Sequence, residues 1–292
     1  MKPAQFKYFD PRSADETLGL LREWGDEGKV LAGGQTLGPM LNFRALAPAA
    51  LIDINRVENL AYHRYTDAGT VIGALTRNHV LEDDEALAVH QPLAAAAIPL
   101  IAHRAIRNRG TIGGSLAHAD PAAEWGAVVL TLDAELMVRK HRTPDRAIAA
   151  ADFFQGILET ALEPDELLVE IKLPPWPRKA GWSVVEFSRR HGDFALAGVA
   201  SMISLAADGA CSDVRITAFG LGPTAMRLTN SENALRGSRP IPAIIQQVAR
   251  RAAAEISPME DNHASAAYRR QLAQVLVDRS IAESAARAAP DG

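Results

Sequence analysis

The sequence predicts an α+β fold in three parts: a small N-terminal α/β unit, a larger α+β unit, and a C-terminal α+β domain of antiparallel strands and helices. Three observations predict it. Strand-length apolar runs flank helical stretches at the start of the chain, strand and helix patterns mix in the middle, and strands precede helices at the end. The run "LPPWPRKAG" at residues 173–181 breaks regular structure, because each proline removes a backbone donor. The units are expected at residues 1–55, 56–176 and 177–292.

In order along the chain, Ser13 and Glu16 form a capping box ahead of "TLGLLREWG". There Leu20, Leu21 and Trp24 share a helical face and Gly25 ends the run. "KVLAGG" and "ALIDIN" read as strands on either side of "QTLGPMLNFRALAP", which puts the first Gly-Gly pair at a strand end. "GTVIGALT" reads as a strand. "PLAAAAIPLIAHRAIRNRG" reads as one alanine-rich helix opened by Pro92 and closed by Gly110, with the second Gly-Gly pair following it. "EWGAVVLTL" predicts a helix, and "AELMVRK" and "ELLVEIKLP" predict strands. The third unit opens with the strands "WSVVEFSRR", "ALAGVASMISLAAD" and "VRITAFGLG". It closes with the helices "IPAIIQQVARRAAAEI" and "AAYRRQLAQVLVDRSI", the last burying Tyr268, Leu272, Val275 and Leu276.

Composition narrows the function. Thirty-one Lys and Arg against 35 Asp and Glu leave a net charge of −4, so no excess positive charge draws the chain to nucleic acid or an anionic membrane. No stretch approaches the roughly 20 apolar residues of a membrane span, and the N-terminus lacks a signal peptide's apolar centre. A cytoplasmic protein is expected. The single cysteine, Cys211, excludes an iron–sulfur cluster or a cysteine-rich zinc site built by this chain alone, and reads as a small core or loop residue.

The chemistry concentrates in "LAGGQTLG" (residues 31–38) and "GTIGGSL" (110–116). Each pairs Gly-Gly with a small hydroxyl residue, Thr36 in one and Thr111 and Ser115 in the other. Neither is a G-x-x-x-x-G-K-S/T or a G-x-G-x-x-G motif, which argues against a P-loop and a Rossmann site. Positive φ and bare N–H groups at both pairs would suit a diphosphate gripped from two sides; each pair can also be an ordinary turn. Arg104, Arg107 and Arg109 are expected chiefly as a solvated helix end complementing the helix dipole. His118 and Asp120 fall short of a metal ligand set, and no metal or catalytic side chain is expected.

"LAGGQTLGPMLNFRALAPAALIDINRV", "AIRNRGTIGGSLAHADPAAEWGAVVLTLDAEL" and "SRRHGDFALAGVA" together resemble the flavin-carrying medium subunit of molybdenum hydroxylases, the carbon monoxide dehydrogenase and xanthine dehydrogenase type, over essentially the full chain. The resemblance implies a two-part FAD-binding domain followed by a C-terminal flavoprotein domain, with FAD as cofactor. It places Ala32, Gly33, Gly34, Gln35, Thr36 and Leu37 on one side of the diphosphate and Thr111, Ile112, Gly113, Gly114 and Ser115 on the other. It sets Ile101 on the adenine side, Asp120 or Glu124 at the ribityl or nearby polar groups, and Leu168 and Phe194 near the flavin. Two departures stand out. Val185-Glu186 replaces a lysine of some relatives, and Phe194 replaces a frequent tyrosine. The implied partners are a small subunit with two 2Fe–2S clusters and a large molybdenum-cofactor subunit, in a dimer of heterotrimers.

Two other functions stay open on the residues. One is a single-chain FAD-dependent oxidoreductase with its own pocket in the third unit and His191 as its acid–base candidate. The other is a nucleotide-binding subunit without redox turnover. Phe194 can equally be a core aromatic, and the Arg189-Arg190 pair a solvated strand end.

Overall fold

The computed structural model describes residues 2–289. The first unit is a parallel three-stranded sheet of order β1-β3-β2, formed by β1 (Lys7–Phe9), β2 (Gly28–Leu31) and β3 (Ala50–Asp53). Helix α1 (Ala14–Trp24) starts where the Ser13 hydroxyl accepts the Glu16 amide, and it stops at Gly25, whose φ of 46° few other residues tolerate. Helix α2 (Leu37–Asn42) follows the first glycine pair.

The second unit holds the antiparallel sheet β4-β5-β10-β6-β7, built from β4 (His63–Thr66), β5 (Gly69–Gly73), β6 (Glu135–Lys140), β7 (Arg146–Ala149) and β10 (Glu166–Leu173). A small hairpin of β8 (Phe154–Gly156) and β9 (Glu159–Thr160) lies beside it. Strand β10 is buried on both faces: Leu167 and Val169 join the core of the first unit, while Leu168, Ile171 and Leu173 join that of the second. Between β5 and β6 run α3 (Asn78–Glu82), α4 (Glu85–His90), α5 (Pro92–Ala97), α6 (Arg104–Arg107), α7 (Ile112–His118) and α8 (Glu124–Thr131); α9 (Ala150–Phe153) follows β7.

Two expectations fail in this unit. The single helix over 92–110 is in fact α5, a 3-10 turn at Ile98–Leu100 and the short α6. Pro99 lacks the donor a continuing helix needs, and Ala102 takes a φ of 44° that turns the chain. The second glycine pair is no loop either. Gly113 and Gly114 form the first turn of α7, with Thr111 as its N-cap.

The third unit is the antiparallel sheet β11-β12-β13-β14, with β11 (Gly181–Phe187), β12 (Ala197–Leu205), β13 (Cys211–Phe219) and β14 (Met226–Arg227). Helices α10 (Thr229–Leu235), α11 (Pro242–Glu255) and α12 (Ala266–Ala288) complete it. Its core gathers Val199, Ile203, Ile216, Val248 and Leu276, and buried Cys211 belongs to it. Helix α8 buries every residue, as a helix enclosed on all sides must, and packs against β12 and β13 of the third unit. The core of the second unit therefore runs on into Ala200, Met202 and Phe219.

The buried stripe of α12 is rotated from the expected one. Tyr268 and Val275 are exposed, whereas Arg269, Ala273, Leu276, Val277, Ser280 and Ser284 are buried. Polar pairing makes this affordable in desolvation. Ser201 Oγ lies 2.7 Å from both Ser280 Oγ and Ser284 Oγ, and Arg269 donates to the carbonyls of Leu196 and Gly220.

Candidate functional site

The two glycine segments meet. β2 ends at Leu31, and the chain then passes so close to the residues before α7 that a Cβ on Gly33 would stand 2.3 Å from the Arg109 carbonyl oxygen and 2.9 Å from Gly110 Cα. Gly114 lies next to Ala32, its ideal Cβ position 3.6 Å from Ala32 Cβ. At Gly33 only glycine permits that approach of backbone to backbone.

The segments differ in what they offer a ligand. Gly34 takes a φ of 70°, and the amides of Gly33, Gly34, Gln35, Thr36 and Leu37 find no acceptor among the described residues. A row of half-buried, unpaired N–H groups is costly unless an anion or water accepts from it. The Thr36 hydroxyl stands beside the row without capping α2, and Gln35 folds back to donate to the Gly33 carbonyl at 3.0 Å.

On the other side the expected bare amides are absent. Ile112 N donates to Thr76 O, Gly113 N to Ala74 O and Gly114 N to Thr111 Oγ1, so the buried Thr111 hydroxyl serves as a cap. Nor does Gly33, Gly113 or Gly114 have a positive φ. Gly113 is needed because a Cβ there would lie 2.5 Å from Ala74 Cβ, against the end of β5. Ser115, half-buried, is the member of this segment whose hydroxyl has no hydrogen-bond partner among the described residues.

Of the remaining predicted residues, Ile101 lies at the start of the Ile101–His103 turn, where its carbonyl accepts from Arg107 at 2.9 Å. Arg107 corrects the solvated-helix-end reading for its own position. It is buried, pairs through Nε and Nη2 with Glu82 at 2.8 Å, and also donates to the Ala102 carbonyl. Arg104 pairs with Glu82 and Asp83. The Ile101–His103 turn then meets the third unit, since a Cβ on Gly192 would fall 2.5 Å from the His103 ring, and His191 stands edge-on to His103 with ring centroids 6.1 Å apart. His191 itself is exposed. Phe194 is 59 % exposed, which overturns its reading as a core aromatic. Arg189 contacts His263 at 2.7 Å.

Glu124 begins α8 and is 7 % exposed. Burial pushes its carboxyl up to about 8, and the charges of Glu186 and Asp120 act in the same direction. Glu186 sits on β11 with Trp182 and Val184, which pack toward the second unit. Its Oε2 is buried without a partner among the described residues, and burial pushes its carboxyl up to about 7. Glu186 thus places a second acidic group beside Glu124, where the second and third units meet. Asp120 accepts the Ala122 amide at 2.9 Å, and burial holds the His118 imidazole below its usual value. Leu168 is 4 % exposed inside the core of the second unit rather than on an open face.

Several supporting residues have no local sequence signal. Asn55 follows β3 and donates to the Ala32 carbonyl at 2.8 Å; Arg77, after β5, reaches both Asn55 and the Arg109 carbonyl. Asn78 N donates to Gly110 O, and its side chain accepts from the buried Trp125 Nε1 at 3.0 Å. Polar residues at strand ends are the one pattern that could have pointed to them.

Comparison with known proteins gives the family. Residues 4–176 match the family described as FAD binding domain in molybdopterin dehydrogenase, and residues 182–284 the CO dehydrogenase flavoprotein C-terminal domain. The chain is 42 % identical to the 6-hydroxypseudooxynicotine dehydrogenase complex subunit alpha of Paenarthrobacter nicotinovorans, over 99 % of this chain and 98 % of that protein. It is 38 % identical to the nicotine 6-hydroxylase medium subunit of the same organism, over 98 % of this chain and 100 % of the other. Among solved structures, a chain of carbon monoxide dehydrogenase from Hydrogenophaga pseudoflava superposes with a TM-score of 0.96 at 36 % identity, covering 99 % of this chain and 100 % of that one. The chain belongs to the FAD-binding medium subunits of the molybdenum-dependent dehydrogenases and hydroxylases of the carbon monoxide dehydrogenase type, and its cofactor is FAD.

Proposed function

We propose that the chain is the electron-transfer subunit of a molybdenum hydroxylase complex, holding FAD where electrons from the 2Fe–2S clusters of a small partner subunit leave for an external acceptor. A large subunit with the molybdenum cofactor carries substrate hydroxylation, and the assembly is a dimer of such heterotrimers. The observation that carries the reading is the row of unpaired amides from Gly33 to Leu37, laid against the backbone of Arg109 and Gly110. That row fits the diphosphate of a dinucleotide. Ala32, Gly33, Gly34, Gln35, Thr36 and Leu37 hold it from one side. Ser115 offers a hydroxyl from the other, while Thr111, Ile112, Gly113 and Gly114 act by bringing α7 up to the first segment. Ile101 and Phe194, on the two sides of the contact between the second and third units, flank the rest of the cofactor, with Asp120 and Glu124 as its polar neighbours. Leu168 shapes the site from the core behind it.

FAD, when bound, supplies the hydride- and electron-transfer chemistry. The chain's own residues bind, orient and shield it, and none is required as a general base. The division into units at 1–55, 56–176 and 177–292 belongs to this reading, supported by the separate sheet that each range carries. Among the described residues no helix is long and apolar enough to cross a membrane, which accords with a cytoplasmic complex.

The test is autonomy. The purified full chain is expected to bind FAD and pass electrons from an artificial reductant to a dye. It is expected to hydroxylate no aromatic heterocycle, aldehyde or carbon monoxide until the cluster and molybdenum subunits are added, since one cysteine cannot ligate a cluster. Substrate turnover by the lone chain, free of iron and molybdenum by elemental analysis, would sink the three-subunit reading.

A further inference from the structure

We propose that Asn55 and Arg77 form a polar strap that sets the spacing of the two glycine segments, and so are positioning residues for the FAD diphosphate. The inference rests on the diphosphate lying between those segments. The strap is continuous. The Asn55 side-chain amide donates to the Ala32 carbonyl at 2.8 Å, immediately before Gly33, and its Oδ1 accepts from Arg77 Nη2 at 2.5 Å. Arg77 Nη1 donates to the carbonyl of Arg109. That same carbonyl is the one a Cβ at Gly33 would strike. One guanidinium thereby ties the first segment to the second at their point of closest approach.

Both ends of the strap are anchored. The Asp53 carboxylate fixes Asn55, accepting its backbone amide at 2.9 Å and its side-chain amide at 2.6 Å, and Asp53 is itself held by the Tyr8 hydroxyl at 2.7 Å. Arg77 forms an isolated antiparallel bridge with Thr111, the cap of α7, and the neighbouring Asn78 amide bonds to the Gly110 carbonyl. A bidentate guanidinium suits two acceptors at a fixed separation, whereas a lysine ammonium on a flexible stem satisfies one of them well. Arg77 also brings a second positive charge beside Arg109 to the place where the two segments meet.

The row of amides from Gly33 to Leu37 leads directly out of Ala32, so its aim depends on where the strap holds the Ala32 carbonyl. Loss of the strap leaves each segment folded within its own unit and frees their relative position.

The experiment uses the full chain stripped of flavin. FAD affinity is read from flavin fluorescence, apo stability from thermal unfolding, and the bound diphosphate from its phosphorus NMR shifts. Asn55→Ala and Arg77→Met are each expected to weaken FAD by about tenfold to a hundredfold, while the apo melting temperature moves little. The double variant is expected to be little worse than the poorer single one, because both remove the same link. Arg77→Lys is expected to retain FAD at intermediate affinity with shifted phosphorus resonances, a signature that general loss of stability does not produce. Should Arg77→Met fail to fold, Asn55→Ala and Arg77→Lys carry the test. Gly33→Val separates the two layers of the argument. If it loses FAD while Asn55→Ala and Arg77→Lys keep wild-type affinity and unshifted resonances, the strap is overturned and the site stands. If Gly33→Val also binds FAD normally, the site itself is misplaced.

Discussion

Gly33→Val is expected to strip the chain of its flavin, weakening FAD binding by at least about a hundredfold, or roughly 2.8 kcal/mol. The cause is steric and local. A Cβ at this position meets the Arg109 carbonyl oxygen at 2.3 Å and its carbon at 2.9 Å, both backbone atoms that cannot rotate aside. The two segments must then separate, and the amide row that begins at Gly33 loses its aim. The atoms that a Cβ at Gly33 meets belong to Arg109 and Gly110 and not to the core of the first unit, built on Leu18, Leu21, Ile52 and Ile54, so the variant is expected to fold. Gly113→Val differs, because its Cβ would collide with Ala74 inside the packed joint of α7 and β5. That variant is expected to lose stability as well as flavin. Equilibrium titration of each purified variant with FAD, beside its melting temperature, checks both statements. Full affinity in Gly33→Val would remove the first segment from the site.

The two glycine segments differ in how far local sequence decides their structure. The first glycine segment is legible because a strand pattern, a Gly-Gly pair and a following helix are consecutive in sequence, and local chemistry decides all three. The role of Gly113 is not, because its partner, Ala74, belongs to another strand end, as does Thr76, the partner of the adjacent Ile112 amide. Asn55 and Arg77 lie 22 residues apart, and Arg107 and Glu82 lie 25 apart. A polar residue at a strand end and an arginine in a basic run look the same whether solvated or paired; only tertiary approach distinguishes them. In α12 the apolar period points to Tyr268 and Val275, while the buried face is decided by hydroxyls that find Ser201 across the sheet. Periodicity counts apolar residues and cannot see a polar one that has a partner.

The largest pH effect is expected from Glu124. Buried at the start of α8, it holds its proton to about 8, against an ordinary value of 4.5. The unfolded chain gives up that proton once the pH passes 4.5, whereas the folded chain keeps it until about 8. Between those limits the folded state binds more protons, so stability falls as pH rises, by an amount on the order of a few kcal/mol, and levels off above. Glu186, raised to about 7, acts the same way over a narrower window. The carboxylates of Glu82, Asp84 and Glu166 act in the opposite sense, since all three are lowered by their hydrogen-bond partners. Their contribution disappears only as the pH drops below the ordinary carboxylate range, so the two trends occupy separate windows. Glu124→Gln keeps the shape of the side chain and removes the proton equilibrium. It is expected to raise the melting temperature by several degrees at pH 8.5, to change it little at pH 5, and to flatten the slope between. Unfolding followed from pH 5 to pH 9 for both proteins decides the matter. A variant less stable than wild type at pH 8.5, with the slope unaltered, would mean that Glu124 is ionised and paired in the folded chain, and would overturn its assignment as the protonated group where the second and third units meet.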